Sequence, residues 1–105
     1  MRRLRERLGL TQEQSARLLG VTWTTVSRWE RGQATPDAKS LAKLGRLGEL
    51  VDLIGDAIRP EDVARFLVTP HPELRGHPPI ELIENEFGFE AVKSLVLAAQ
   101  SGAYR

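Results

Sequence analysis

Residues Thr11 to Gly32, TQEQSARLLGVTWTTVSRWERG, leave little freedom in how they fold. Two short helical patterns lie on either side of a glycine, and each has its own start signal. The first opens at Thr11 with Gln14 three residues on. At that spacing the Thr hydroxyl accepts from the Gln14 amide while the Gln side chain reaches back. Ala16, Leu19 and Val21 then fall on one side. Gly20 stands where the chain leaves the helix and turns, a position for a residue tolerant of positive φ. Thr22 caps the second pattern, which runs to about Arg31, and Gly32 ends it. Val26 and Trp29, three residues apart, share an inward face. Trp23, Thr24, Ser27, Arg28 and Arg31 are left to point outward or sideways.

An outward face of Thr, Ser and Arg has no core to fill. A short helix of this shape fits the major groove of DNA, where Arg28 can pair in bidentate fashion with guanine. Taken singly, Arg28 and Arg31 read as solvated surface charges. The combination of a small residue before the turn, a glycine in it, a hydroxyl cap after it and two apolar anchors favours recognition.

The stretch LTQEQSARLLGVTWTTVSRWERGQATP resembles the helix-turn-helix of the Xre/Cro/phage-repressor family, through its TQEQ, LLGV and TVSRWERG elements and the final proline. The resemblance covers residues 1 to about 47. It implies a phosphate and often a base contact from Gln12, and a groove-facing position for Trp23, Thr24, Ser27 and Arg28; Thr25 and Arg31 join them as candidate DNA contacts. It also implies a structural role for Glu30, tying the recognition helix to an arginine of the same domain. Trp23 is large for a groove-facing position and has two readings, one against a thymine methyl or the sugar backbone, the other folded into the core.

The 105 residues bound the chain to one compact domain or two very small ones. There is no cysteine, which suits a reducing cytoplasm. No apolar run approaches the roughly 20 residues that span a bilayer. The basic start, MRRLRER, lacks a following apolar segment, so no export signal is read. The net charge of +1 hides an asymmetry. Residues 1–36 hold seven Arg against three Glu, residues 37–59 four of each sign, and residues 60–105 four basic against seven acidic. A basic front suits a polyanion, and an acidic back is turned from it.

Along the chain, residues 2–8 read as a short helix with Leu4 and Leu8 inward. Arg2, Arg3, Arg5 and Arg7 have two readings, phosphate contacts or a solvated basic face. After Gly32, Thr35 as cap, Pro36 at the first helical position and Asp37 near the dipole's positive end start a helix. Leu41, Leu44, Leu47, Val51, Ile54 and Ile58 then form one apolar stripe, wide enough for a dimer face as well as core, so residues 37–58 are expected to be helical. Gly45, Gly48 and Gly55 weaken it, and a break or bend is expected near Gly45 to Gly48. A helix starts at Pro60 with Val63, Phe66 and Leu67 inward and stops before Pro70. TPHPELRGHPP forms a stiff loop. Pro78 and Pro79 start a helix through Ile80, Leu82, Ile83 and Phe87, ended by Gly88. A last helix covers about 89–101, and Gly102 terminates it. No strand and no repeat is expected.

The back half is poor as an enzyme. His71, Glu73 and His77 do not share a helical face and read as parts of an ordinary loop rather than a metal site. Glu81, Glu84 and Glu86 read as a solvated face. No nucleophile–base pattern and no phosphate-cradling loop is present, so no catalytic residue, metal or cofactor is expected. ARFLVTPHPELRGHPPIELIENEFGFEAVKSLVLAAQSG is similar to the toxin-binding domain of Xre/MbcA/ParS-type antitoxins. The likeness rests on Phe66-Leu67, His71 to Gly76, Pro79 to Leu82, Gly88 to Val92, and Gly102. The family commonly has Trp where Phe66 stands. If so, the implied partner is a RES-domain toxin that consumes NAD, and the implied contacts are Arg75, Gly76, Gly102, Ala103, Tyr104 and Arg105.

These readings define an all-α chain of seven or eight short helices: a DNA-binding unit over 1–47, a connecting helix over 48–59 and a toxin-binding unit over 60–105. The expected molecule is a cytoplasmic homodimer that binds operator DNA and a toxin protein, touches no membrane and represses its own operon. Two rivals are a stand-alone transcription regulator, whose residues 60–105 dimerise, and a small enzyme using His71 and Glu73.

Overall fold

The computed structural model describes residues 1–55 and 58–101. Its described elements are α1 (Arg2–Arg7), α2 (Gln12–Leu19), α3 (Trp23–Glu30), α4 (Ala38–Ile54), α5 (Pro60–Val68), a 3-10 turn (Pro72–Leu74), α6 (Pro79–Leu82) and α7 (Glu86–Gln100). The fold is all-α, with one isolated bridge among the described residues, between His71 and His77.

The helix starts follow local chemistry. Thr11 and Gln14 form the reciprocal capping box. Gly20 leaves α2 at φ 71°, and the Thr22 hydroxyl accepts from the Thr25 amide to open α3. Asp37, not Thr35, caps α4, its carboxylate accepting from the Ser40 amide at 2.7 Å, so Pro36 precedes the helix rather than opening it. A carboxylate at this position also meets the positive end of the helix dipole.

No break falls at Gly45 or Gly48: α4 runs unbroken to Ile54. Two glycines cost the helix about 1 kcal/mol each relative to alanine, and burial of Leu47, Leu50, Val51 and Ile54 outweighs this. The helix ends earlier than the apolar stripe suggests, because Gly55 takes φ 71°, and Ile58 lies beyond it, half-exposed.

The largest departure is at residues 83–89. The helix begun at Pro79 stops at Leu82, and Asn85 caps a new one by accepting from the Gly88 amide at 2.8 Å. Gly88 therefore lies in the first turn of α7 instead of ending a helix. A Cβ there would sit 2.1 Å from the Leu82 carbonyl oxygen, so the close passage of α6 over α7 requires glycine. Phe87, expected in the helix begun at Pro78 and Pro79, is 92% exposed.

One apolar core joins both halves of the chain. Leu8 and Leu19 from the front meet Leu47, Leu50, Val51 and Ile54 of α4, and these meet Val63, Leu67, Leu74, Ile80, Ile83, Phe89, Val92 and Val96. Polar contacts reinforce the junction. Arg46 donates to Glu86 and to the Ile83 and Glu84 carbonyls, and Lys43 pairs with Glu84. The carbonyls at the end of α6 thus find a cation, which suits the negative end of a helix.

Candidate nucleic-acid interface and partner-binding half

The outer face of α3 is held from behind by a buried carboxylate. Glu30 ends α3 with its side chain fully buried, and Arg5 of α1 grips both its oxygens, Nε at 2.8 Å and a terminal nitrogen at 2.9 Å. Gln12 of α2 donates to the same carboxylate at 3.1 Å, and Arg2 lies 3.6 Å away. The hydrogen bonds from Arg5 draw the Glu30 pKa down to about 2, against the opposing effect of burial. Arg5 also donates to the Leu10 carbonyl, which fixes the α1–α2 connection. One ion pair therefore sets the positions of three helices. Fork-to-carboxylate geometry makes it directional as well as strong.

The basic start of the chain divides accordingly. Arg5 is structural, and Arg7 pairs with Asp52 of α4. Arg3 is exposed and makes no salt bridge among the described residues.

The residues expected to face DNA separate into two groups. Trp23, at 51% exposure, is not a core residue, which decides between its two readings in favour of the outward one. Thr24, Arg28 and Arg31 are exposed with it. Ser27 does not belong there: it is buried beside Val26 at 6% exposure. On a helix of eight residues the sector beside an inward valine is itself partly inward, and serine is small enough to occupy it. Thr25 is half-buried, its hydroxyl 2.8 Å from that of the cap residue Thr22. Gln12 spends its amide group on Glu30. Trp23, Thr24, Arg28 and Arg31 thus form the open face, while Gln12 and Thr25 stand at its border.

In the back half, residues 69–79 form a knot rather than a plain loop. His71 and His77 bridge, Gly76 donates to the His71 carbonyl at 2.9 Å, and Leu74 is buried beneath. Arg75 is exposed at the tip with φ 59°, the single non-glycine described residue in the left-handed region. That conformation costs roughly 1–2 kcal/mol, held in place by the Leu74 anchor and by Gly76 at φ 80°. The Nε2–H of His71 donates to the Phe66 carbonyl at 3.2 Å, with its ring 4.8 Å from that of Phe66. His77 faces Glu81. The two imidazoles face neighbouring helices, His71 toward α5 and His77 toward α6, and no group of three potential metal ligands occurs among the described residues. Arg75 and Gly76 stand together at the tip. Gly102, Ala103, Tyr104 and Arg105 lie outside the described residues.

Sequence reasoning missed two features. The exposure of Phe87 was hidden because it continues an apolar spacing. The choice of Arg5 among four neighbouring arginines had no signal before α1 was placed against α3.

A fold of this kind, with a capped helix pair in front and a small helical unit behind sharing its core, defines a helix-turn-helix protein with an appended partner domain. Residues 1–49 match the helix-turn-helix family, and residues 49–102 match the antitoxin Xre/MbcA/ParS C-terminal toxin-binding domain. The chain belongs to the Xre/MbcA/ParS antitoxin family. It is 24% identical over 99 residues to the mycobacterial cidal antitoxin MbcA of Mycobacterium tuberculosis, covering 94% of this chain and 87% of that one. A second protein of that organism, described as a probable mycobacterial cidal antitoxin, is 29% identical over 96 residues, covering 91% and 81%. The crystal structure of the M. tuberculosis MbcT–MbcA toxin–antitoxin complex contains a chain of the same fold, with TM-score 0.77 and 23% identity over 99% of this chain and 93% of that one. No helix among the described residues is long and apolar enough to cross a membrane.

Proposed function

We propose that this protein is the antitoxin of a toxin–antitoxin pair. It acts by binding, not by catalysis. Its front half, over residues 1–47, binds operator DNA, and its back half, over residues 60–105, binds and silences a toxin. The observation that carries the reading is the joining of two surfaces on one core: an open, cationic α3 face, and a half that belongs to a toxin-binding family.

On the DNA side, Trp23, Thr24, Arg28 and Arg31 enter the major groove of a two-fold operator, with half-sites about 34–36 Å apart. Gln12 and Thr25 border the phosphate backbone. Arg28 reads a base edge and Arg31 a phosphate. Affinity falls steeply with salt, since each arginine–phosphate contact releases about one counterion. On the toxin side, Arg75 and Gly76 at the tip of the knot and residues Gly102 to Arg105 contact a RES-domain enzyme that consumes NAD. The last residues insert into its active site. The fully exposed Phe87 supplies an apolar anchor, the kind of residue that concentrates binding energy in an interface. The DNA-bound complex represses its own operon in the cytoplasm.

Co-expression with the product of the adjacent gene, followed by size exclusion and titration with the upstream duplex, tests this. A co-eluting complex that binds the duplex selectively and loses the toxin's NAD consumption is the expected result. Deleting residues 103–105 then restores that activity. Selective DNA binding with no toxin partner would instead identify a stand-alone regulator, and no selective DNA complex at any salt concentration would refute the DNA half.

A further inference from the structure

Residues 1–47 hold two aromatic side chains, Trp23 and Trp29. Trp29 packs against the core cluster, whereas Trp23 opens α3 and is 51% exposed. The side-chain hydrogen bonds at this end of the helix belong to Thr22 and Thr25, and the indole takes part in neither. No ring stacks on it and no cation lies over it among the described residues. Its surroundings are polar and cationic, because Thr24, Arg28 and Arg31 are exposed with it. Both ends of α3 are pinned. The Thr22 cap holds its start, and Glu30, gripped by Arg5 and Gln12, holds its end. A ring with two side-chain torsions on so rigid a mount loses little entropy when a partner covers it.

We propose that Trp23 selects thymine, its ring against the C5-methyl group and its Nε1–H toward O4. The inference rests on the DNA-binding reading of α3 and names the base this residue recognises. The first residues of a recognition helix are the ones that meet base edges, and Trp23 is the first of α3. The choice of base follows from what each one shows in the major groove. Indole offers an apolar face and one donor, and no acceptor. Thymine presents a methyl group beside an acceptor, which answers both. Cytosine presents an amino donor that indole cannot accept. Adenine sets an amino donor beside its acceptor, and guanine shows two acceptors, but neither carries a methyl group. Covering one methyl group is worth about fourfold in affinity for each half-site.

Competition titration of the full chain at one salt concentration tests this. The probes are the duplex upstream of its gene and copies of it in which one symmetry-related pair of thymines is replaced by deoxyuridine. Deoxyuridine lacks only the methyl group and keeps O4 and the base pairing. At one pair of positions the native chain is expected to bind the deoxyuridine duplex about fourfold more weakly, or weaker still. Trp23→Ala abolishes that preference while circular dichroism stays helical, since the side chain lies outside the core. Trp23→Phe, which keeps an apolar ring and drops the donor, retains it. Equal binding of every deoxyuridine duplex by the native chain overturns the assignment, and a uniform loss on Trp23→Ala then marks a sugar–phosphate contact instead. A preference that survives Trp23→Ala overturns it as well. Both of these results leave DNA binding intact. No selective complex of the native chain with the upstream duplex refutes the DNA reading and this inference with it.

Discussion

Replacing Glu30 by glutamine keeps the side chain's shape and removes its charge. In the native protein that charge sits fully buried between Arg5 and Gln12, and its pKa of about 2 compares with an ordinary value of 4.5. At about 1.4 kcal/mol per pH unit, that depression is worth about 3 kcal/mol of folding stability. Arg5 in the variant keeps the Leu10 carbonyl but loses its counter-ion while mostly buried, and breaking one side of such a pair costs a similar amount. The sign fixes the pH dependence. A carboxylate whose pKa falls on folding stabilises fully above the unfolded value, near 4.5, and loses that contribution as pH drops toward 2. Urea denaturation of both proteins at pH 7, 5, 4 and 3 therefore should give a gap of about 3 kcal/mol at pH 7, nearly the same at pH 5, and a shrinking gap below 4.5. A gap that stays constant across this series would show that the loss comes from packing, and the ion-pair argument would fail.

Other perturbations separate local from tertiary causes. Gly88→Ala should destabilise by more than 3 kcal/mol in denaturant titrations, since its Cβ would meet backbone at 2.1 Å, whereas Gly20→Ala, with open space around it and only its φ of 71° against it, should cost about 1 kcal/mol. Ser15→Ala should leave stability unchanged or raise it by up to about 1 kcal/mol, because the Ser15 hydroxyl is buried with no hydrogen-bond partner among the described residues. Arg28→Ala should cost roughly 1–3 kcal/mol and relax base preference at one operator position, measured by competition between duplexes; equal loss on every duplex would make Arg28 a phosphate anchor. Phe87→Ala should leave the melting temperature unchanged and weaken toxin capture at least tenfold in a pull-down titration.

What the sequence settled by itself is local in origin. The capping box at Thr11 and Gln14, the left-handed Gly20 and the hydroxyl at Thr22 each act within four residues, and all three appear where residue chemistry puts them. The inward positions Leu8, Val26, Leu47, Val51, Ile54, Val63 and Leu67 follow from helical periodicity alone. The family likeness was equally legible, because it is carried by the order of such signals.

Tertiary structure decided the rest. Gly88 reads as a helix end in any local account, yet it opens a helix, because the Leu82 carbonyl passes where a side chain would be. Four arginines in six residues are equivalent on paper; only the approach of α1 to the end of α3 makes Arg5 the partner of Glu30. Ser27 is polar and by its spacing points toward DNA, but the packing around Val26 buries it. Caps and glycine turns are set by groups a few bonds apart, while burial and ion pairing depend on which distant segment arrives, and a linear pattern does not record that distance.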